Sequence, residues 1–346
     1  MAERVAITGA TGFVGAAVVR AFLAAGYRVR AIARAGSCRD NLAGLDLETV
    51  IGNLAEPDTL ASALDGCDGL VHAAADYRFF VRDPAALYRV NVEGTRALME
   101  AALAAGLRRI VHTSSVAVLG HRGDGAAADE EDAAVLGDMI GHYKRSKFLA
   151  EEAVLRLVAD AALPAVIVNP TAPVGPRDRK PTPTGRMVRD AARGRMPAYL
   201  DTALNIVHVD DVAEGHRLAY ERGTLGRRYI LGGENLALRA IFAMIARLAG
   251  RRAPRLRLAP APLVPIAWLA ETWARLAGGT PFFTREELRM ARQSMVFSSA
   301  RAERELSYTH RPAIDAFADA LAWFAEQGQL RSADGHHGSR REEALR

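Results

Sequence analysis

Three residues of this chain carry proton chemistry at a usable spacing. Tyr143 and Lys147 stand four apart in the run Tyr143-Lys144-Arg145-Ser146-Lys147, which opens a helical stretch over residues 143–159. Four residues make about one helical turn, so both side chains project from one face. Upstream, an apolar run over residues 109–113 delivers Ser114-Ser115 at its end. A free tyrosine has a pKa of ~10, and a nearby ammonium such as Lys147 favours the phenolate. Tyr143 would then give a proton to a carbonyl oxygen or take one from a hydroxyl, with Ser115 hydrogen-bonded to that same oxygen. By itself a Tyr and Lys pair at this spacing is usually a pair of surface residues, so the surrounding elements decide its meaning.

The first of those elements is the stretch Val5-Ala6-Ile7-Thr8-Gly9-Ala10-Thr11-Gly12-Phe13-Val14-Gly15. A β-branched apolar run leads into three glycines spaced three apart, and an Ala- and Val-rich helical pattern follows over residues 16–25. The order is strand, tight turn, helix. Gly9 would allow the turn, Gly12 would let the backbone approach a pyrophosphate, and Gly15 would let helix and strand pack closely. The helix N-terminus would offer N–H groups and a partial positive charge to the phosphates. A dinucleotide site is therefore expected. In an NAD-specific unit an acidic residue stands ~20 residues past the glycines to hold the ribose 2′-OH. Here the second strand, residues 27–32, ends at Ala33-Arg34, with Ser37 and Arg39 behind it and Asp40 the first acid. Arg34 suits a 2′-phosphate, so NADP is the expected cofactor, with NAD the alternative if Arg34 only stacks on adenine.

Composition is consistent with an enzyme of this kind. A chain of 346 residues, half of them hydrophobic, can bury a large core and suggests two lobes. The formal charge of +5 is mild and the arginines are dispersed. That favours anionic cofactors or substrates and argues against nucleic acid. Cys38 and Cys67 are isolated, without metal spacing, as expected in a reducing cytoplasm. Met1 leads directly into the first strand without a signal-peptide pattern, and no uncharged apolar run reaches the ~20 residues needed to span a bilayer.

Further along, residues 47–51 read as a third strand leading to Gly52-Asn53-Leu54 and a helix opened by Pro57-Asp58. Residues 69–72 read as a fourth strand, followed by Ala73-Ala74-Ala75, small enough for a cofactor to lie against the backbone. Asp83-Pro84 starts a helix expected to run to about residue 105, with Asn91 inside it needing solvent or a partner. Residues 121–141 are polar and acidic, and are expected to form a loop over the site. A sixth strand is expected at 165–169. Residues 174–184, rich in proline and carrying Arg177, Arg179 and Lys180, are expected to be irregular, facing a substrate or forming an exposed connector. Residues 205–209, 211–220 and 229–231 read as strand, helix and strand returning to the main sheet. Amphipathic or apolar helices are expected at 238–250 and 260–277, the latter with Trp268 and Trp273. Those tryptophans would pack in the core of the small lobe, hold a greasy substrate, or rest on a membrane surface, the first being the commonest outcome. Helices beginning at 284, 299 and 313 complete the pattern, and residues 331–346 read as a disordered tail whose His336-His337 pair has no further ligands for a metal.

Taken together, the glycine turn, Asn91-Val92-Glu93-Gly94-Thr95, Thr113-Ser114-Ser115 and the Tyr143 to Lys147 run resemble the extended short-chain dehydrogenase/reductase superfamily, the NAD-dependent epimerase/dehydratase type. Asn169-Pro170-Thr171, His208-Val209-Asp210-Asp211-Val212 and Tyr229-Ile230-Leu231-Gly232-Gly233 are similar to its later signatures. Ala74-Ala75-Asp76-Tyr77, the run Pro181 to Arg186 and the run Ala192 to Tyr199 resemble the hopanoid-associated sugar epimerases, relatives of the dihydroflavonol reductases. The resemblance implies an α/β fold: a Rossmann-type, doubly wound parallel sheet (residues 1–170 plus 206–232) with a smaller C-terminal α+β substrate lobe (171–205 plus 233–330). It implies Ser115, Tyr143 and Lys147 as the catalytic set, with Ser114 structural and Lys147 also on the nicotinamide ribose. Cofactor contacts are expected from Gly9, Thr11, Gly12, Phe13, Val14, Gly15, Arg34, Asn53, Leu54, Ala73, Ala74, Ala75, Asn91, Tyr143, Lys147 and Pro170. Asn53 departs from the superfamily, which usually has an Asp there on the adenine. The resemblance also implies a homodimer through the helices at 85–105 and 143–159, and a small-molecule or lipid-linked sugar substrate met in the cytoplasm or at the inner membrane surface.

Two enzymatic outcomes remain open at this point. A sugar epimerase would oxidise and re-reduce one carbon with a retained cofactor, whereas Arg34 favours net reduction by exchangeable NADPH, as in a carbonyl reductase. A non-catalytic dinucleotide-binding protein would require a broken catalytic set, and Ser115, Tyr143 and Lys147 are all present.

Overall fold

A computed structural model describes residues 2–78, 83–122, 125–259, 261–277, 284–290 and 293–330. The chain opens with strand β1 (Arg4–Thr8), helix α1 (Phe13–Ala24), β2 (Arg28–Ala33), β3 (Glu48–Ile51), α2 (Asp58–Leu64) and β4 (Gly69–His72). Next come α3 (Pro84–Tyr88), α4 (Gly94–Ala104), β5 (Arg109–Thr113), the long α5 (Gly141–Ala161) and β6 (Ala165–Pro170). The remainder holds β7 (Ala172–Val174), α6 (Pro183–Ala192), β8 (Ala198–Leu200), β9 (Ala203–His208), α7 (Val209–Arg222), β10 (Arg228–Leu231), β11 (Glu234–Ala237) and α8 (Leu238–Leu248). It closes with β12 (Leu256–Leu258), α9 (Val264–Ala277), α10 (Arg285–Met290), α11 (Ala300–Leu306) and α12 (Ala313–Glu326). The disordered tail expected at 331–346 lies outside the described residues.

Seven parallel strands form the main sheet in the order β10-β6-β5-β4-β1-β2-β3. This is the Rossmann-type doubly wound arrangement. Alternate residues of each strand feed opposite layers, as a pleated strand requires. Val5, Ile7, Val71, Val111, Val166 and Val168 pack with α1 and α7 on one face, while Ala6, Leu70, Ile110, Ala165 and Ile167 pack with α2, α4 and α5 on the other. The order in which strands are added switches side between β1 and β4, which places a crevice at their C-terminal ends, where such sheets bind ligands.

Several expected elements differ. Residues 203–208 do not join the main sheet: β9 pairs with β11 and β7 in a separate three-stranded sheet, because the edge beside β6 is taken by β10. The following helix α7 does return, against α1. The helix after Pro84 is interrupted by a π-turn, Arg89–Glu93, which carries Asn91; such turns often mark functional sites. The segment after Val174 stays irregular only to Thr182, whose side chain caps α6 by accepting from the Gly185 N–H. The described part of the loop 121–141 lies along the open edge of the sheet, where buried Glu130 accepts the Ile230 N–H at 2.8 Å. That contact blunts an edge which would otherwise offer free backbone donors.

A third apolar cluster joins α6, α8 and α12 with Val174 and Ile206. Trp268 and Trp273 are not part of it. Helix α9 buries Ala267, Glu271 and Ala274 and leaves Ile266, Trp268, Leu269, Trp273 and Leu276 exposed, Trp273 by 71%. Its inward face holds small residues and an acid paired with Arg285, so the large apolar side chains have no core to enter. Among the described residues no helix is long and apolar enough to cross a membrane.

Candidate active site

The glycine turn lies at the β1/β4 crevice. Gly9 has φ +69, and a Cβ there would stand 2.7 Å from the Ala74 nitrogen and 2.8 Å from the Ala73 carbonyl. Ala73 and Ala74 are half-buried beside the turn and Ala75 is exposed. Gly12 donates its N–H to the Gly9 oxygen at 2.9 Å and caps α1 without any side-chain hydrogen bond. The first-turn N–H groups of Phe13 and Val14 therefore have no side-chain acceptor at the cap, as an anion site at a helix N-terminus requires. Thr11 is half-buried, and its carbonyl accepts from Asn41 Nδ2 at 3.3 Å, pinning the turn from outside. A tight, uncapped glycine cradle is the form a dinucleotide pyrophosphate needs, and these residues fit that group.

Arg34 is exposed just past the end of β2, without a side-chain partner among the described residues. Asp40, the first acid after it, is turned to Arg179 at 2.5 Å, and Arg177 pairs with Asp210. Those two arginines thus tie residues 174–184 to neighbouring acids. Asn53 closes its own turn: its side chain accepts from the Ala55 N–H at 3.1 Å and donates to Glu56 at 2.7 Å. Leu54 is buried under Gly94, where a Cβ would meet the Leu54 oxygen at 2.5 Å.

Asn91, buried in the π-turn, has found its partners in the protein. Its Oδ1 accepts from the Asp76 N–H at 2.7 Å, and its Nδ2 donates to the Asp76 carbonyl at 3.1 Å and to Ser146 Oγ at 3.0 Å. It holds the loop after β4 against α5. Leaving such an amide unpaired would cost about 1–3 kcal/mol.

Ser115, Tyr143 and Lys147 meet between β5 and α5. Ser115 accepts the Ala117 N–H at 3.1 Å and is hydrogen-bonded by its side chain to Tyr143. Lys147 Nζ donates to the Thr113 carbonyl at 2.7 Å. Tyr77, the last residue of the run Ala74-Ala75-Asp76-Tyr77, meets the Tyr143 ring edge-on, with ring centroids 4.7 Å apart. The electrostatics correct one expectation. Burial, helped by Tyr77, pushes the Tyr143 phenol well above its ordinary value, and the opposing influence is the Ser115 hydrogen bond rather than Lys147. Lys147 is itself buried, which lowers it to about 8, with Glu151 acting against that drop. Tyr143 is therefore protonated at neutral pH. Ser114 is buried beside the pair with its hydroxyl unpartnered among the described residues, and Pro170 is buried at the end of β6.

Beneath the site Thr8 Oγ1 and His72 Nδ1 lie 2.7 Å apart, His72 Nε2 reaches Thr95 at 2.9 Å, and the His112 ring lies tilted against His72 with centroids 5.3 Å apart. Burial keeps both imidazoles neutral. Sequence reading missed these histidines because they look like ordinary strand residues until β1, β4 and β5 are aligned. Among the described residues no group of three or more His, Cys, Asp or Glu side chains could hold a metal.

Comparisons with known proteins agree with this geometry. The model of the NAD dependent epimerase/dehydratase family matches residues 5–232. The chain is 42% identical over 336 residues to a putative dihydroflavonol 4-reductase of Synechocystis, covering 96% of this chain and 97% of that one. It is 37% identical over 326 residues to sterol demethylase protein B of Methylococcus capsulatus, covering 94% and 99%. The crystal structure of gox2253 superposes with a TM-score of 0.86 at 52% identity, covering 95% of this chain and all of that one. The glycine cradle, the seven-stranded parallel sheet and these matches lead to one statement: the chain belongs to the NAD-dependent epimerase/dehydratase family and is an NAD(P)-dependent enzyme.

Proposed function

We propose that the protein is an NADPH-dependent reductase of a carbonyl carried by a hydrophobic or lipid-linked substrate. The observation that carries this reading is Arg34: an exposed guanidinium, unpartnered among the described residues, follows β2 where an NAD enzyme would present a carboxylate, and Asp40, the next acid in the chain, is engaged by Arg179. Similarity to a putative dihydroflavonol 4-reductase and to sterol demethylase protein B supports it. When bound, the dinucleotide supplies the hydride. Tyr143, protonated in its buried setting, gives its proton to the substrate oxygen, Ser115 orients that oxygen, and Lys147 holds the ribose hydroxyls. The substrate lies between the lobe of residues 1–170 plus 206–232 and the lobe of 171–205 plus 233–330. The outward apolar face of α9, with Trp268 and Trp273, supports docking at a membrane surface that supplies such a substrate. A homodimer through the helices at 85–105 and 143–159 completes the reading.

The second reading is a hopanoid-associated sugar epimerase, favoured by the runs Ala192 to Tyr199 and Pro181 to Arg186. The deciding experiment is mass analysis of cofactor released from freshly purified, denatured protein, then titration with NADPH and NADH. Empty protein that binds NADPH more tightly supports the reductase. Retained NAD with weak NADPH binding overturns it in favour of the epimerase.

A further inference from the structure

Glu151 is 2% exposed on α5, one turn past Lys147 and two past Tyr143, and the chemistry above does not use it. Burying a carboxylate is costly unless every oxygen is paired. Both are. Oε1 accepts from Arg228 Nε at 2.6 Å and Oε2 from Asn169 Nδ2 at 3.0 Å. The same Asn169 group donates to the Ser115 carbonyl at 3.1 Å. One buried carboxylate therefore links α5, the end of β6, the start of β10 and the turn that presents Ser115.

It also stands one helical turn from Lys147, near enough for its charge to act on the ammonium. The lysine is packed under the Thr113 carbonyl on β5, with His112 on that strand, His72 on β4 and Tyr143 on its own helix. The imidazoles and the phenol are neutral, so Glu151 supplies the negative charge that acts on the ammonium, which burial alone would drive toward the neutral amine.

We propose that Glu151 is a positioning residue with two points of action: through Asn169 it sets the Ser115 turn, and across one helical turn it supplies the countercharge of the Lys147 ammonium. The proposal rests on the reading of Ser115, Tyr143 and Lys147 as the reacting set.

Direct observation of the lysine tests it. The chain has three lysines, Lys144, Lys147 and Lys180, so lysine labelled with carbon-13 at the ε position gives three NMR signals, assigned with Lys144→Arg and Lys180→Arg. In the full-length protein Glu151→Gln lowers the Lys147 titration midpoint by about one unit and reduces turnover by roughly 10- to 100-fold, with substrate KM little changed. Arg228→Met, which frees the carboxylate from its cation, moves the Lys147 midpoint the other way, upward. Identical Lys147 midpoints in wild type and both variants overturn the proposal. If Glu151→Gln does not fold, Arg228→Met alone decides, since an unshifted or lowered midpoint there contradicts the countercharge. Undiminished turnover in Tyr143→Phe would instead overturn the assignment of the reacting set, while the lysine midpoints would still report on Glu151.

Discussion

The carbonyl oxygen of Gly9 lies 2.1 Å from the point where a Cβ on Gly15 would stand, so the third glycine of the turn makes room for the first. The obstacle is backbone, which cannot rotate away as a side chain can. Gly15→Ala should therefore displace α1 from the turn and cost about 1–3 kcal/mol of stability, the usual range for overpacking. Gly12→Ala, whose Cβ would lie 3.2 Å from the same oxygen, should cost less while still weakening dinucleotide binding. Denaturant unfolding and cofactor titration of the two variants separate these effects, and equal stability losses would contradict the assignment.

Tyr143→Phe removes the proton donor and keeps the ring against Tyr77. Turnover should fall by at least ~100-fold, the scale of losing a general acid, while cofactor affinity measured by fluorescence stays near wild type. Turnover near normal would remove Tyr143 from its role.

Arg34→Asp places a carboxylate at the end of β2, beside the expected 2′ position. The ratio of kcat/KM for NADPH over NADH should fall by ~10-fold or more, as loss of a charge-assisted contact to phosphate implies. An unchanged ratio would mean that Arg34 does not meet the 2′ group.

Acid should weaken the fold before it reaches the carboxylates. Burial lowers His72 to about 3, His216 to about 4 and His112 well below its ordinary value. Unfolded histidines bind protons near pH 6.5, so between about 6.5 and 4 the unfolded chain takes up more protons than the folded one, and stability falls as pH falls. The thermal midpoint should drop by about 5 °C or more between pH 7 and pH 5. A flat profile over that interval would show that these imidazoles titrate normally.

Much of this protein is legible in its residue order, because the information is local. The spacing Gly9, Gly12, Gly15 between a β-branched run and a helix, the strand ends at His72 and Thr113, and the four-residue step from Tyr143 to Lys147 each follow from backbone geometry over a few residues, and the parallel sheet follows from their alternation. Tertiary structure decided what depends on neighbours far away in the chain. It gave Asn91 its partners at Asp76 and Ser146, turned Asp40 toward Arg179, took β9 out of the main sheet and left the α9 tryptophans outside the core. It also reversed the expected electrostatics: spacing brings Lys147 near Tyr143, but the depth at which both are buried sets their protonation, and desolvation outweighs the attraction that spacing alone suggests.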